Sequence, residues 1–292
     1  MHLGITFGQL NPRAFEEVAV AADELGYESA WLPEHLVFPL RVEGELIPGE
    51  EHPPVPPTVP IFDACAYLSY LAARTAHLRL GTLVYLLGIR HPFVGARAFA
   101  TLDVVSGGRA ICGVGAGWLR PEWDAVGIDP STRGARLDEA IGVVRRLWTE
   151  PEIAHDGPHF PFEPVAFEPK PVQVGGPPVH VGGESARALR RAATLGDGWL
   201  GMAHTPATAA AQVGRLRALA EEAGRDPGAV EVTVMGEVGP GSDLGAWEEA
   251  GVDRLIVTPW RRSRDAVEGL TRLAAELGLA PGSARAPDGT SS

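Results

Sequence analysis

The sequence is nearly without lysine. Of its 25 basic residues only Lys170 is lysine, and the rest are arginine. With so much Ala, Gly and Pro, this reads as the base composition of a GC-rich genome. It carries one chemical consequence: a Schiff-base mechanism needs a lysine amine, and only Lys170, in a Pro-flanked stretch, is available. Cysteine is almost as scarce. Cys65 and Cys112 cannot build a disulfide framework, and their spacing matches no zinc pattern. His52, His155 and His159 fall in irregular segments and pair with nothing that resembles a metal site, so no metal is expected. No run approaches 18 apolar residues, which excludes a spanning helix by length. The first residues, MHLGITFGQL, lack a charged start followed by a long apolar run. A cytoplasmic location is therefore expected. Nucleophile and nucleotide signatures are missing as well. There is no G-x-S-x-G, no H-E-x-x-H and no GxxxxGK[ST], which disfavours serine hydrolysis, zinc hydrolysis and P-loop chemistry. The net charge of −12 argues against nucleic-acid partners, since phosphate neutralisation needs clustered cations.

What is present suits a folded enzyme. Hydrophobic residues make up 45% of the 292 and charged residues 21%, which excludes a disordered chain. Short apolar runs alternate with helical periodicity. Strands are predicted at 3–8, 29–32, 78–85, 110–115, 179–182, 199–202, 230–235 and 254–258. Helices are predicted between them, among them 61–74, 92–105, 132–149, 185–195, 206–223 and 264–277. Eight strand–helix units in about 280 residues predict a (β/α)8 TIM barrel. Two Pro-rich insertions, 36–60 and 150–178, interrupt it as long loops. Residues 1–280 are expected to form one domain, and 281–292 a disordered tail. A doubly wound sheet is the alternative, but no G-x-G-x-x-G follows the first strand.

In such a barrel the chemistry sits at the C-terminal ends of the strands. Gly182, Gly183, Glu184 and Ser185 follow the fifth strand and open a helix. The two glycines permit close approach to the backbone, and the free N–H groups of a helix start bind phosphate. Ser185 either caps the helix or donates to an anion. Glu184 is compatible with a phosphate only if it points away. The run from Gly113 to Trp118, including Ala116, either lets a flat ring lie on the backbone or forms a tight turn. Trp118 is either a pocket wall or a packing residue. Glu34 and His35 follow strand two directly, and His35 titrates near neutrality. His91 and His180 read as structural.

These residues resemble the bacterial-luciferase-like family. The resemblance rests on the stretch from Gly81-Thr82 through Arg90-His91-Pro92, Asp103…Ser106-Gly-Gly-Arg109 and Gly113-Val-Gly-Ala-Gly-Trp118. It is extended by Arg136-Leu-Asp-Glu139, Pro169-Lys-Pro-Val-Gln173, His180-Val-Gly-Gly183 and Leu195-Gly-Asp-Gly-Trp199. It implies a TIM barrel binding a flavin or the deazaflavin F420 at its mouth, and the sequence is most similar to the F420-dependent oxidoreductase branch. The resemblance implies a non-prolyl cis bond at Leu83–Val84 against the deazaflavin face. It implies a phosphate loop at Gly182–Ser185, and cofactor or proton-transfer roles for Glu34 and His35. The sugar-phosphate dehydrogenases of that branch carry a glutamate where Trp118 stands and bind phosphate with lysines, so sugar-phosphate oxidation is not expected. Phe7, Phe38, Trp118 and also Trp31 suggest an apolar site for a small, weakly charged substrate. The expected activity is hydride transfer with F420. An FMN-dependent monooxygenase using O2 and a non-catalytic cofactor-binding homologue are the alternatives. A homodimer through the early helices and a separate reductase supplying reduced cofactor are the expected partners.

Overall fold

The computed structural model describes residues 1–40, 43, 56–238 and 241–280. Most of the first insertion and the whole of the expected disordered tail lie outside the described residues. Within them, eight parallel strands close a barrel. In chain order these are β1 (His2–Thr6), β2 (Ser29–Leu32), β3 (Arg79–Thr82) and β4 (Ala110–Val114), then β7 (Val179–Gly182), β8 (Gly198–His204), β9 (Glu231–Gly236) and β10 (Arg254–Val257). Closure runs through β1, which pairs with β2 (Ile5 opposite Ala30) and with β10 (Ile5 opposite Val257).

The strands are short and buried on both faces, as a parallel sheet wrapped in helices requires. The helices are α1 (Phe15–Leu25), α2 (Ala64–Ala72), α3 (Pro92–Ser106), α4 (Arg120–Ala125), α5 (Arg133–Thr149), α6 (Ala186–Leu195), α7 (Pro206–Glu222), α8 (Leu244–Glu249) and α9 (Ala266–Leu277). Local chemistry sets their ends. Asp63 accepts from Ala66 N–H at 2.8 Å and starts α2 at Ala64, three residues inside the expected range. Such a cap contributes about 1 kcal/mol. Gly26 and Gly107 take left-handed conformations that end α1 and α3.

The second insertion departs from expectation. It is not a featureless loop, because β5 (Ile153–His155) and β6 (Phe162–Val165) pair as an antiparallel hairpin. The hairpin is pinned to α5. The Glu139 carboxylate receives His159 and Phe160 N–H and lies 3.1 Å from His155 Nε2, while Arg136 stacks on the Phe160 ring. Further along, Asp103 accepts from Val172 N–H, Gln173 N–H and the Gln173 amide. Several motifs that carry the family resemblance therefore fasten the insertion to the barrel and are not part of the site.

Inside the barrel, Trp31, Ile111, Leu200 and Ile256 form one apolar layer, with Leu83, Val84 and Met235 packed on its upper side. This layer is the floor beneath the C-terminal mouth. Trp31 belongs to it and is fully buried, its indole N–H donating to Ser29 Oγ at 2.9 Å. The expectation that Trp31 faces substrate is corrected: a strand side chain pointing inward at mid-barrel fills the core.

Candidate functional site

A cleft of about 3540 Å³ opens over the C-terminal strand ends. Phe7, Glu34, His35, Phe38, Leu83, Val84, Ala116, Trp118 and the Gly182–Ser185 loop all line it. The residues expected to make the site therefore share one cavity, although they come from five different strand ends.

The cleft wall at strand three is built first. The Leu83–Val84 peptide bond is cis. Tyr85 N–H then bonds Gly113 O at 2.7 Å, and Thr82 Oγ1 donates to the same carbonyl at 2.6 Å. Val84 lies between the ends of β4 and β7. A Cβ on Gly115 would stand 2.4 Å from Val84 Cγ2, and one on Gly182 would stand 2.7 Å from Val84 Cγ1. These glycines are explained by that close approach, which a methyl group would block.

His35 follows β2, the neighbour of β3, and also lines the cleft. Its Nδ1 lies 3.0 Å from Glu122 Oε2. The other oxygen of Glu122 accepts Leu36 N–H at 2.5 Å and Val37 N–H at 3.3 Å. Glu122 is fully buried on α4, while His35 keeps 20% of its side chain exposed to the cleft. The imidazole lies edge-on to two rings, with Phe38 at 5.3 Å and Trp118 at 6.2 Å between centroids. Phe38 and Trp118 thus make an apolar collar around a titratable ring. Phe7 is nearly sealed and packs on Phe15 at 5.0 Å, so it supports the wall from beneath.

Glu34 is placed differently from the proton-transfer expectation. Its side chain is buried and ion-paired with Arg90, and it accepts Leu86 N–H at 2.9 Å. Burial pushes its carboxyl up, with the Arg90 guanidinium opposing that shift. Arg90 lies over the Tyr85 ring at 4.4 Å. Glu34 therefore ties the end of β2 to the segment that follows the cis bond.

The loop after β7 turns directly into α6. Gly183 has φ +126°, a value glycine alone adopts freely. Ser185 Oγ caps α6 by accepting Ala188 N–H at 3.2 Å. Glu184 turns onto β8, where it accepts Met202 N–H at 2.6 Å and lies 3.1 Å from His204 Nε2. Both of its oxygens are thereby engaged. The other histidines behave as read: His91 Nδ1 caps α3, accepting Phe93 N–H at 3.3 Å, and His180 is buried in the barrel. The Lys170 amine donates to the Leu147 and Glu150 carbonyls, outside the cleft. Burial pushes both the Cys65 and Cys112 thiols up, which removes them as nucleophiles. Among the described residues, no cluster of three metal-ligating groups occurs, and no helix is long and apolar enough to cross a membrane.

Two functional residues escape sequence reasoning, Glu122 and Arg90. The first lies on α4, a six-residue helix with no periodic signal. The usable clue is its position four residues after Trp118, close behind a strand end.

Comparison with known proteins decides the family. The profile of luciferase-like monooxygenases matches residues 3–275. The chain belongs to the luciferase-like monooxygenase family. Among its curated relatives is a phthiodiolone/phenolphthiodiolone dimycocerosates ketoreductase of Mycobacterium sp. (strain JLS), 31% identical over 87% of this chain and 70% of the relative. An F420-dependent glucose-6-phosphate dehydrogenase of Kineococcus radiotolerans is 32% identical over 66% of this chain, which spans about half (53%) of that enzyme. Among solved structures, an F420-dependent secondary alcohol dehydrogenase in complex with an F420-acetone adduct superposes with a TM-score of 0.75. It is 19% identical and is matched over 98% of this chain and 99% of its own. The luciferase-like fold therefore comes with F420-dependent oxidoreductases among its relatives.

Proposed function

We propose that this luciferase-like chain is an F420-dependent oxidoreductase acting on a carbonyl or hydroxyl group of a weakly charged organic substrate. The observation that carries the reading is His35: a partly exposed imidazole held by a buried carboxylate and collared by Phe38 and Trp118, in the same cleft as Leu83 and Val84. The cleft fits a phosphate-bearing planar cofactor. Gly115 and Gly182 keep the wall flat around Val84, Ala116 borders it, and Gly182, Gly183 and Ser185 open α6 with Glu184 turned aside. When bound, the deazaflavin supplies the hydride half of a carbonyl–alcohol interconversion. The proton half falls to His35 Nε2, which has no partner among the described residues. Phe38 and Trp118 exclude water and favour an apolar substrate body. Glu34 holds the wall in register through Leu86 N–H and Arg90.

The aromatic collar also supports the departure from sugar-phosphate substrates, because Trp118 occupies the wall and the single lysine lies outside the cleft. A homodimer through α2 and α3 extends the proposal, since Tyr70, Val94 and Val105 are exposed there; sedimentation at micromolar concentration tests it, and a monomer removes it. A separate reductase that regenerates the reduced cofactor completes the reading.

The reading is tested by following reduced F420 at its absorbance maximum with a panel of apolar ketones and aldehydes, with O2 uptake recorded in parallel. Oxidation of F420 matched to substrate reduction is expected. Substrate-dependent O2 uptake with reduced FMN, and no F420 turnover, points instead to a monooxygenase. Binding without turnover across the panel points to a non-catalytic homologue.

A further inference from the structure

The contacts of Glu122 are asymmetric, and that asymmetry selects one tautomer of His35. Oε1 is committed to two backbone donors, Leu36 N–H and Val37 N–H. Oε2 faces His35 Nδ1 at 3.0 Å. A carboxylate has only lone pairs to offer, so Nδ1 must carry the proton. The lone pair of the neutral ring then lies on Nε2, the nitrogen left for the cleft. We infer that Glu122 is a positioning residue that fixes His35 as the Nδ1–H tautomer and so makes Nε2 the atom that takes up or returns the substrate proton. This rests on the proton-transfer reading of His35 given above.

The placement is independent of the cofactor. Glu122 is fully buried on α4, and its three donors all come from consecutive residues, His35, Leu36 and Val37, at the end of β2. The same contact that orients the ring therefore also fixes the backbone that follows it. Charge develops on the ring when Nε2 gains a proton, and a buried carboxylate at Nδ1 stabilises that imidazolium, as in other carboxylate–histidine pairs.

The amide variant separates orientation from packing. In Glu122→Gln, the two backbone donors claim the amide oxygen, because an NH2 group cannot accept from Leu36 and Val37. The NH2 group is then left facing Nδ1, which must present its lone pair. The proton moves to Nε2, and the ring loses its acceptor in the cleft while its shape and surroundings stay.

The experiment is nitrogen NMR of the purified chain with labelled histidine, for wild type and Glu122→Gln, paired with steady-state turnover on an identified alcohol or ketone. Protonated Nδ1 in the wild type and protonated Nε2 in the variant are expected. A kcat lowered on the order of 10²–10⁴-fold with KM nearly unchanged is expected alongside. A wild-type His35 whose neutral ring is protonated on Nε2 and bare on Nδ1 overturns the inference without any variant, so it can be broken even if Glu122→Gln misfolds. An unchanged tautomer in a folded variant also overturns it. So does wild-type turnover by the variant when His35→Ala is inactive. Failure of the underlying reading has a separate signature: His35→Ala then turns over normally, whatever the tautomer.

Discussion

The two ends of the barrel use the same residue types to opposite effect. At the N-terminal end, Arg254 is buried and donates to both oxygens of Glu28, at 2.6 and 2.7 Å, to Thr233 Oγ1 at 3.0 Å and to Glu231. Arg79 adds a second cation 3.6 Å from Glu28. Burial pushes the Glu28 carboxyl up, and the Arg254 guanidinium overrides it and holds it at about 2. His180 is sealed among these groups, and burial, reinforced by Arg254 and Arg79, pushes it down to about 3. At the C-terminal end, carboxylates again pair with bases, but Glu122 engages one nitrogen of His35 and leaves the other to the cleft. The closed end spends its carboxylates on a buried guanidinium inside the core, whereas the open end leaves one nitrogen of the pair at a cavity.

Substitutions can break this contrast, and the largest effect is expected at the closed end. Arg254→Met removes the main partner of the buried Glu28 carboxylate and a partner of the partly exposed Glu231, and should cost about 3–5 kcal/mol of stability, read as a shifted denaturation midpoint. A loss below 1 kcal/mol would show that the closed end is not an obligatory staple. His35→Ala, at the open end, should lower turnover on the order of 10²–10⁴-fold with little change in midpoint. Equal losses of stability and activity would erase the distinction.

Gly115→Ala and Gly182→Ala sit at the junction of floor and mouth. Each forces a methyl against Val84 and should cost about 1–3 kcal/mol, with weaker cofactor binding measured by titration. Unchanged binding would place the cofactor away from the strand-three wall. The smallest effect concerns pH. The folded value of His180, about 3, lies below its ordinary 6.5, so the unfolded chain binds the extra proton between them. Stability from this group is complete above about 6.5 and falls as pH drops toward 3, by at most about 1.4 kcal/mol per unit. The depressed Glu28 acts in the same direction only below about 4.5. Between pH 4.5 and 6.5, His180→Leu should therefore flatten the pH dependence of the melting temperature. An unaltered slope would assign it to other groups.

The strands were the most legible elements. Periodicity and flanking turns place β2 and β7 at 29–32 and 179–182, as observed, because buried parallel strands are uninterrupted apolar runs. The 153–165 hairpin was not legible, since its residues alternate weakly and its anchor, Glu139, lies on the preceding helix α5. Among site residues, the glycines at 182 and 183 and the histidine at 35 follow from strand-end position alone. The role of Glu34 does not, because its partner Arg90 is 56 residues away. Glu122 is harder still: a carboxylate on a six-residue helix gains its meaning only when 87 residues of chain bring His35 to it. Asp103, Gln173 and Asp197 show the opposite limit. They are prominent in the motifs yet act as staples, Asp197 joining Arg145 to Val179 N–H.

We propose that the open end binds a deazaflavin. Titration of the purified chain with F420 and with FMN, followed by fluorescence or calorimetry, tests it most directly. Saturable F420 binding, tighter than FMN binding and weakened by Gly182→Ala, is expected. Tighter binding of FMN, unaffected by that substitution, would contradict it.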